Sequence, residues 1–162
     1  MRLADFIREN KQPIIAEWES FARTLEPAEH MTSAQLRDHI EQILSFIAAD
    51  LESPQSDRQQ IKKSHGKNDS KNFYDSAAET HGDTRHEEGF DIIQMVSEYR
   101  ALRSSIIKLW TNSQRTLSDD DVLDLTRFNE SIDQALAESV VRFMDKVHYS
   151  KDLLLGVLSH DI

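Results

Sequence analysis

Cysteine is absent from the 162 residues, which excludes disulfides, thiolate metal sites and cysteine nucleophiles. Turn-formers are scarce, with four glycines and three prolines, whereas the helix-favouring Ala, Leu, Ile, Glu, Gln, Lys and Arg are plentiful, so an all-α fold is expected. No apolar run approaches the roughly 20 residues of a spanning helix, and the opening MRLADFIREN lacks the apolar stretch of a secretory signal. A cytoplasmic protein is expected. Basic residues are also short, 19 Lys and Arg against 29 Asp and Glu for a net charge of -10, a balance that disfavours nucleic acid and anionic membrane surfaces as partners. Missing too are a glycine-rich phosphate loop, a GxSxG elbow, an HExxH helix and an ATP-binding domain.

What is present is helical periodicity over one domain with a tail. Phe6, Ile7, Ile14, Ile15, Trp18, Phe21 and Leu25 make one stripe, and Pro13 predicts a kink or a second helix starting near it. Thr32-Ser33-Ala34-Gln35 fits a capping box, and Leu36, Ile40, Ile43, Leu44, Ile47 and Leu51 predict a helix running on to about Leu51, before Pro54. Ser53 to Asn72 is polar and reads as a mobile connection. Phe73 to Glu88 reads as a short helix with Ser76 as cap, ended at Gly89. Phe90, Ile92, Ile93, Val96, Tyr99, Ala101, Leu102, Ile106, Ile107 and Trp110 cover so much of the next helix that it belongs at the centre of the fold.

After a polar turn, Ser118 caps a final helix whose first turn holds Asp119, Asp120 and Asp121, where the macrodipole favours negative charge. Leu117 is placed to staple onto Val122. With no Pro and no Gly before Gly156, this helix is expected to approach 40 residues, against about 11 or 12 for a mean helix. Val122, Leu125, Phe128 and Ile132 suit a globular core. From Leu136 the pattern changes to steps of four and three through Val140, Phe143, Val147, Leu154 and Val157, with Ser150 in the one gap. The expected organisation is therefore a helical domain over residues 1–135 and a coiled-coil signalling helix over 136–162 that pairs with a second copy.

The tail, Leu153-Leu154-Leu155-Gly156-Val157-Leu158-Ser159-His160-Asp161-Ile162, resembles the phosphoacceptor box of histidine kinases. The resemblance implies that His160 accepts the γ-phosphoryl of ATP and that Asp161 orients or deprotonates its ring. With Val157 and Asp161 on the a/d seam, His160 falls at an accessible flanking position. Taken without the resemblance, a histidine here is equally a solvated helix end.

Four further blocks carry a second likeness: Leu36-Arg37-Asp38-His39, Asp75 to Gly82 (DSAAETHG), Val96 to Arg103 (VSEYRALR) and Asn129 to Ser139 (NESIDQALAES). Together they resemble the N-terminal sensor domains of bacterial histidine kinases, related to RsbRD-type input domains. That likeness implies a globin-like or bundle-like helical module that dimerises, answers a small-molecule or protein signal, and controls phosphotransfer from His160 to a response regulator or receiver domain. It implies no haem and no cofactor in this chain; ATP and magnesium would serve a kinase domain lying outside it, so the chain alone is expected to be inactive. A purely structural dimerisation or partner-docking module is the alternative.

Glu79, His81, Tyr99, Arg100 and Arg103 are the candidate ligand residues, Arg100 and Arg103 sharing a helix face that suits a carboxylate or phosphate. Their plainer role is pairing with carboxylates at helix interfaces. No metal site is expected. His81 and His86, five apart, sit about 140° apart around a helix, which suits chelation poorly, and His39 reads as a packed or surface histidine.

Overall fold

The computed structural model describes residues 1–53, 75–113 and 116–160, excepting the side chains of 158–160. The expected connection from Ser53 to Asn72 lies outside the described residues except for Ser53, and so do Phe73 and Asp161.

The first stripe forms two helices, α1 (Leu3–Glu9) and α2 (Lys11–Ala22). They break at Asn10, whose side-chain amide donates to the Phe6 carbonyl at 2.9 Å. Pro13 then lies in the first turn of α2, where a missing N–H forfeits no helical bond. A short 3₁₀ turn, Glu26–Ala28, leads to α3 (Ser33–Arg37). Its capping box forms as the sequence predicts, with the Gln35 amide donating to Thr32 Oγ1 at 3.1 Å and the Thr32 amide to Gln35 Oε1 at 2.9 Å.

The single helix expected through Leu51 does not form. Asp38 takes a φ of 29° and separates α3 from α4 (Ile40–Glu52). Aspartate tolerates positive φ better than most residues, and neither Gly nor Pro marks the break in the sequence. Leu36 and Ile40 are still buried on both sides of it, so the bend redirects the apolar face without exposing it.

Ser76 and Glu79 form a second capping box at the start of α5 (Ala77–Glu87), and Gly89 at φ 86° ends that segment. Asp91 and Gln94 cap α6 (Ile92–Ser113) in the same reciprocal manner. Ser118 and Asp121 do so for α7 (Asp119–His160), a helix of 42 residues. The Leu117–Val122 staple is not made; both side chains are more than half exposed, so Val122 does not join the core either.

Every regular element among the described residues is helical, so the fold is all-α with a long C-terminal helix. None of these helices is long and apolar enough to cross a membrane. The core joins Leu3, Ile7, Ile14, Trp18, Leu36, Ile40, Leu44, Ile47, Leu102, Ile106, Trp110, Phe128 and Ile132. Within it α2 packs on α6, α1 on α4, and α5 along α7.

Helix α7 serves two environments. Phe128, Ile132 and Ala135 are buried in the core, and burial continues past the expected boundary at 135/136 to Phe143, which meets the His86 ring at 5.1 Å. From His148 to Val157 every residue is exposed. At 1.5 Å per residue the stretch beyond Phe143 projects about 25 Å from the packed body.

The α5–α7 contact depends on Gly82: a Cβ there would sit 2.4 Å from the Ser139 carbonyl oxygen. Gly82→Ala should therefore lower stability by about 1–3 kcal/mol through overpacking, although alanine is intrinsically the better helix former by about 1 kcal/mol. Urea denaturation checks the sign; a stabilised variant would show that the two helices separate without cost.

Candidate functional site

Ionisable side chains rarely reach a helical core unless they are paired, yet α5 carries two of them on one stripe. Ala78, His81, Gly82 and Arg85 follow one another at helical spacing, and all four are buried. Opposite them on α6, Glu98 interrupts the buried row Met95, Tyr99, Leu102.

Arg85 and Glu98 form a two-pronged ion pair, Nε to Oε1 at 2.8 Å and Nη2 to Oε2 at 2.9 Å. Arg85 also donates to the Leu36 carbonyl at 2.6 Å and to Glu88 at 3.0 Å, and its guanidinium lies 4.8 Å from the Phe90 ring centre. Burial pushes the Glu98 carboxyl up, but His81 and Arg85 beside it outweigh that and hold it below the ordinary glutamate range. Burial likewise works against the Arg85 charge, and Glu98 and Glu88 reverse the effect. The pair is thus a salt bridge with its donors used, a fixture of the core and not a pair poised for proton transfer.

His81 stands next to this pair and is wholly buried. Its Nε2 lies 3.6 Å from Glu98 Oε1, and neither ring nitrogen has a hydrogen-bond partner. Its ring meets Tyr99 edge-on at 5.9 Å and His39 edge-on at 6.4 Å. His39 Nδ1 lies 2.6 Å from Asp38 Oδ2, again without a hydrogen bond on either atom. One ligating atom from each of Asp38, His39 and His81 falls within 4.8 Å of the others.

Tyr99 faces the other way, its hydroxyl 2.6 Å from Ser139 Oγ on α7, and Ser139 in turn donates to the Ala78 carbonyl. Burial pushes the Tyr99 phenol far above its ordinary range, so it stays a neutral O–H. Nearby, Glu138 accepts from Ser76 Oγ at 2.9 Å and from Gln134 at 3.1 Å; burial raises its carboxyl above the usual range despite both bonds.

The five candidate ligand residues do not converge on one pocket. His81 and Tyr99 are internal. Glu79 caps α5 and reaches Arg142, which also holds Asp83 at 2.8 Å and Asp75 at 2.8 Å in a clamp between α5 and α7. Arg103 bonds Asn129 at 2.9 Å and pairs with Asp133. Arg100 is exposed on the outside of α6, where it lines shallow surface grooves. The expected Arg100–Arg103 anion cradle is therefore half taken up by α7, because three residues of helix turn Arg103 toward that neighbour. His86 faces Phe143 and not His81, so the unfavourable spacing between the two histidines is irrelevant. As for the phosphoacceptor pair, the α7 backbone runs to His160, whereas the His160 side chain and all of Asp161 lie outside the described residues.

Three functional-looking residues escaped the sequence reading: Arg85, Glu98 and Arg142. Two left a signal, Arg85 as the last member of a stripe otherwise small or neutral, and Glu98 as a carboxylate inside an apolar row.

Removing Glu98 should test the pair. Glu98→Gln leaves the Arg85 charge buried and should cost roughly 3 kcal/mol at neutral pH. Because the folded-state carboxyl is depressed, its contribution is present above the unfolded glutamate value of about 4.3 and lost as pH falls through the lower folded value. The stability gap between wild type and variant, followed by urea denaturation, should accordingly narrow below about pH 4; a gap independent of pH would contradict the assignment.

No protein-family model, curated protein or solved structure matches this chain.

Proposed function

We propose that this chain is the input and dimerisation segment of a two-component sensor histidine kinase, in which α7 transmits the state of the packed helices to His160. The observation that supports this most directly is the exposed apolar face at the end of α7: Leu153, Leu154 and Val157, which share one side of the helix, are 53%, 61% and 58% exposed among the described residues. A monomer has no reason to keep such a row on a projecting helix. A second copy covering it would join Leu154 and Val157 across a coiled-coil seam and leave His160 on a flanking position.

Coupling follows from how α7 is held. Tyr99, Ala78 and Gly82 contact it at Ser139, and Arg142 is clamped by three carboxylates of the α5 segment, one turn nearer its end. A signal that shifts α5 must turn or slide α7 at these points, and the paired ends carry the movement on. Rigid transmission of this kind is a population shift between two packings, biased by whatever prefers one of them. Access of a kinase domain to His160, and then of a response regulator, would change with it. The second reading, a structural dimerisation or docking module, draws on the same apolar face and needs no chemistry at His160.

Phosphotransfer separates the two. The full-length parent protein, incubated with radiolabelled ATP and magnesium, should acquire acid-labile label that is lost in His160→Gln. Label that persists in the variant, or none on folded parent protein, would reject the kinase reading and leave the docking module.

A further inference from the structure

The cluster where α3, α4 and α5 meet contains more unsatisfied polar atoms than a helical core tolerates. Asp38 Oδ2, His39 Nδ1 and both ring nitrogens of His81 are buried atoms with no hydrogen-bond partner. A buried polar group left unpaired costs about 1–3 kcal/mol; Asp38 Oδ2 and His39 Nδ1 have only each other at 2.6 Å, His81 Nε2 has Glu98 at 3.6 Å, and the wholly buried His81 Nδ1 has no partner, so the cluster calls for a further one. Each of the three residues offers one electron-pair donor to a cation: a carboxylate oxygen of Asp38 and the unprotonated ring nitrogen of each neutral imidazole.

We propose that Asp38, His39 and His81 form a binding site for a divalent first-row transition-metal ion of the zinc type. Two imidazoles and a carboxylate are a donor set that suits zinc and its neighbours, and they leave positions for water. The three ligating atoms, within 4.8 Å of one another, need small side-chain rotations to reach the separations of a metal sphere. Local charge favours a cation: Glu88 and Glu98 are two carboxylates on the single guanidinium of Arg85, and Asp38 adds a third carboxylate that acts electrostatically on Glu88. Glu98, beside the His81 ring, is placed as the outer carboxylate that orients ligating histidines.

The site has an entry path. The side chains of Asp38 and His39 are 26% and 25% exposed, whereas His81 is closed off, so an ion would arrive from the α3–α4 bend and meet His81 at its inner end. The positive φ of Asp38 is what puts two consecutive side chains at the mouth of the cluster. A bound ion would tie that bend to α5.

The test uses the chain stripped of metal with chelator and then titrated with zinc chloride, followed by calorimetry and by thermal denaturation. One ion per chain should bind, and the melting temperature should rise with zinc concentration by mass action. Since His81→Ala opens a cavity in the core, the deciding variants are His39→Ala and Asp38→Asn at the partly exposed mouth, with folding checked by circular dichroism. Each should weaken zinc binding at least tenfold and abolish most of the thermal shift. Cobalt should give the visible absorption of a low-symmetry site in wild type and lose it in His39→Ala. Absence of binding to folded wild-type chain, or binding and cobalt spectra unchanged in both variants, would overturn the site.

Discussion

The bidentate pair of Arg85 with Glu98 is the constraint to which the interior conforms. A guanidinium and a carboxylate withdrawn from water are costly unless each keeps its bonds, and breaking such a pair is commonly worth several kcal/mol. Here every neighbour answers that requirement. The α3 terminus supplies the Leu36 carbonyl, Glu88 supplies a second carboxylate, and Phe90 covers the cation. Because those partners come from α3, α5, α6 and the turn after α5, the pair fixes how these elements sit before any apolar contact is considered. It also sets the field in which His81, Asp38 and His39 lie.

Next to that fixed centre, α7 is held by close approach and by short polar bonds. Gly82 lets two backbones touch, Tyr99 and Ser139 bond across the gap, and Arg142 collects three carboxylates at the rim. Contacts of this sort have few alternative arrangements, and the proposed transmission rests on that: a displaced α5 would carry α7 with it instead of being absorbed by soft packing. The same helix then continues beyond Phe143 without a break, to an end about 25 Å away.

Much of this architecture was legible because it is written locally. The caps at Thr32, Ser76 and Ser118, the stop at Gly89, the break before Pro13 and the length of the last helix each follow from residues within a turn of the feature. What stayed hidden depends on distant partners. The bend at Asp38 has no Gly or Pro to announce it, and it alone brings His39 to His81, 42 residues along the chain. Along the chain His81 has His86 as its nearest histidine, on the same helix and with no chelating geometry, whereas its spatial neighbour His39 comes from another helix segment. Arg103 illustrates the same limit: its spacing from Arg100 gives no sign that Asn129 and Asp133 of α7 engage it. The site chemistry was therefore visible as residue types and invisible as a constellation.

The central claim is that the projecting end of α7 pairs with a second copy along Leu154 and Val157. The absence of cysteine makes a direct measurement simple, since Val157→Cys introduces a single thiol on the seam and Asp152→Cys a single thiol on the outer face. Under mild oxidation the first variant should form a covalent dimer efficiently and the second should not. Equal cross-linking of both, or none in either at concentrations where the chain is folded, would contradict the pairing and the transmission built on it.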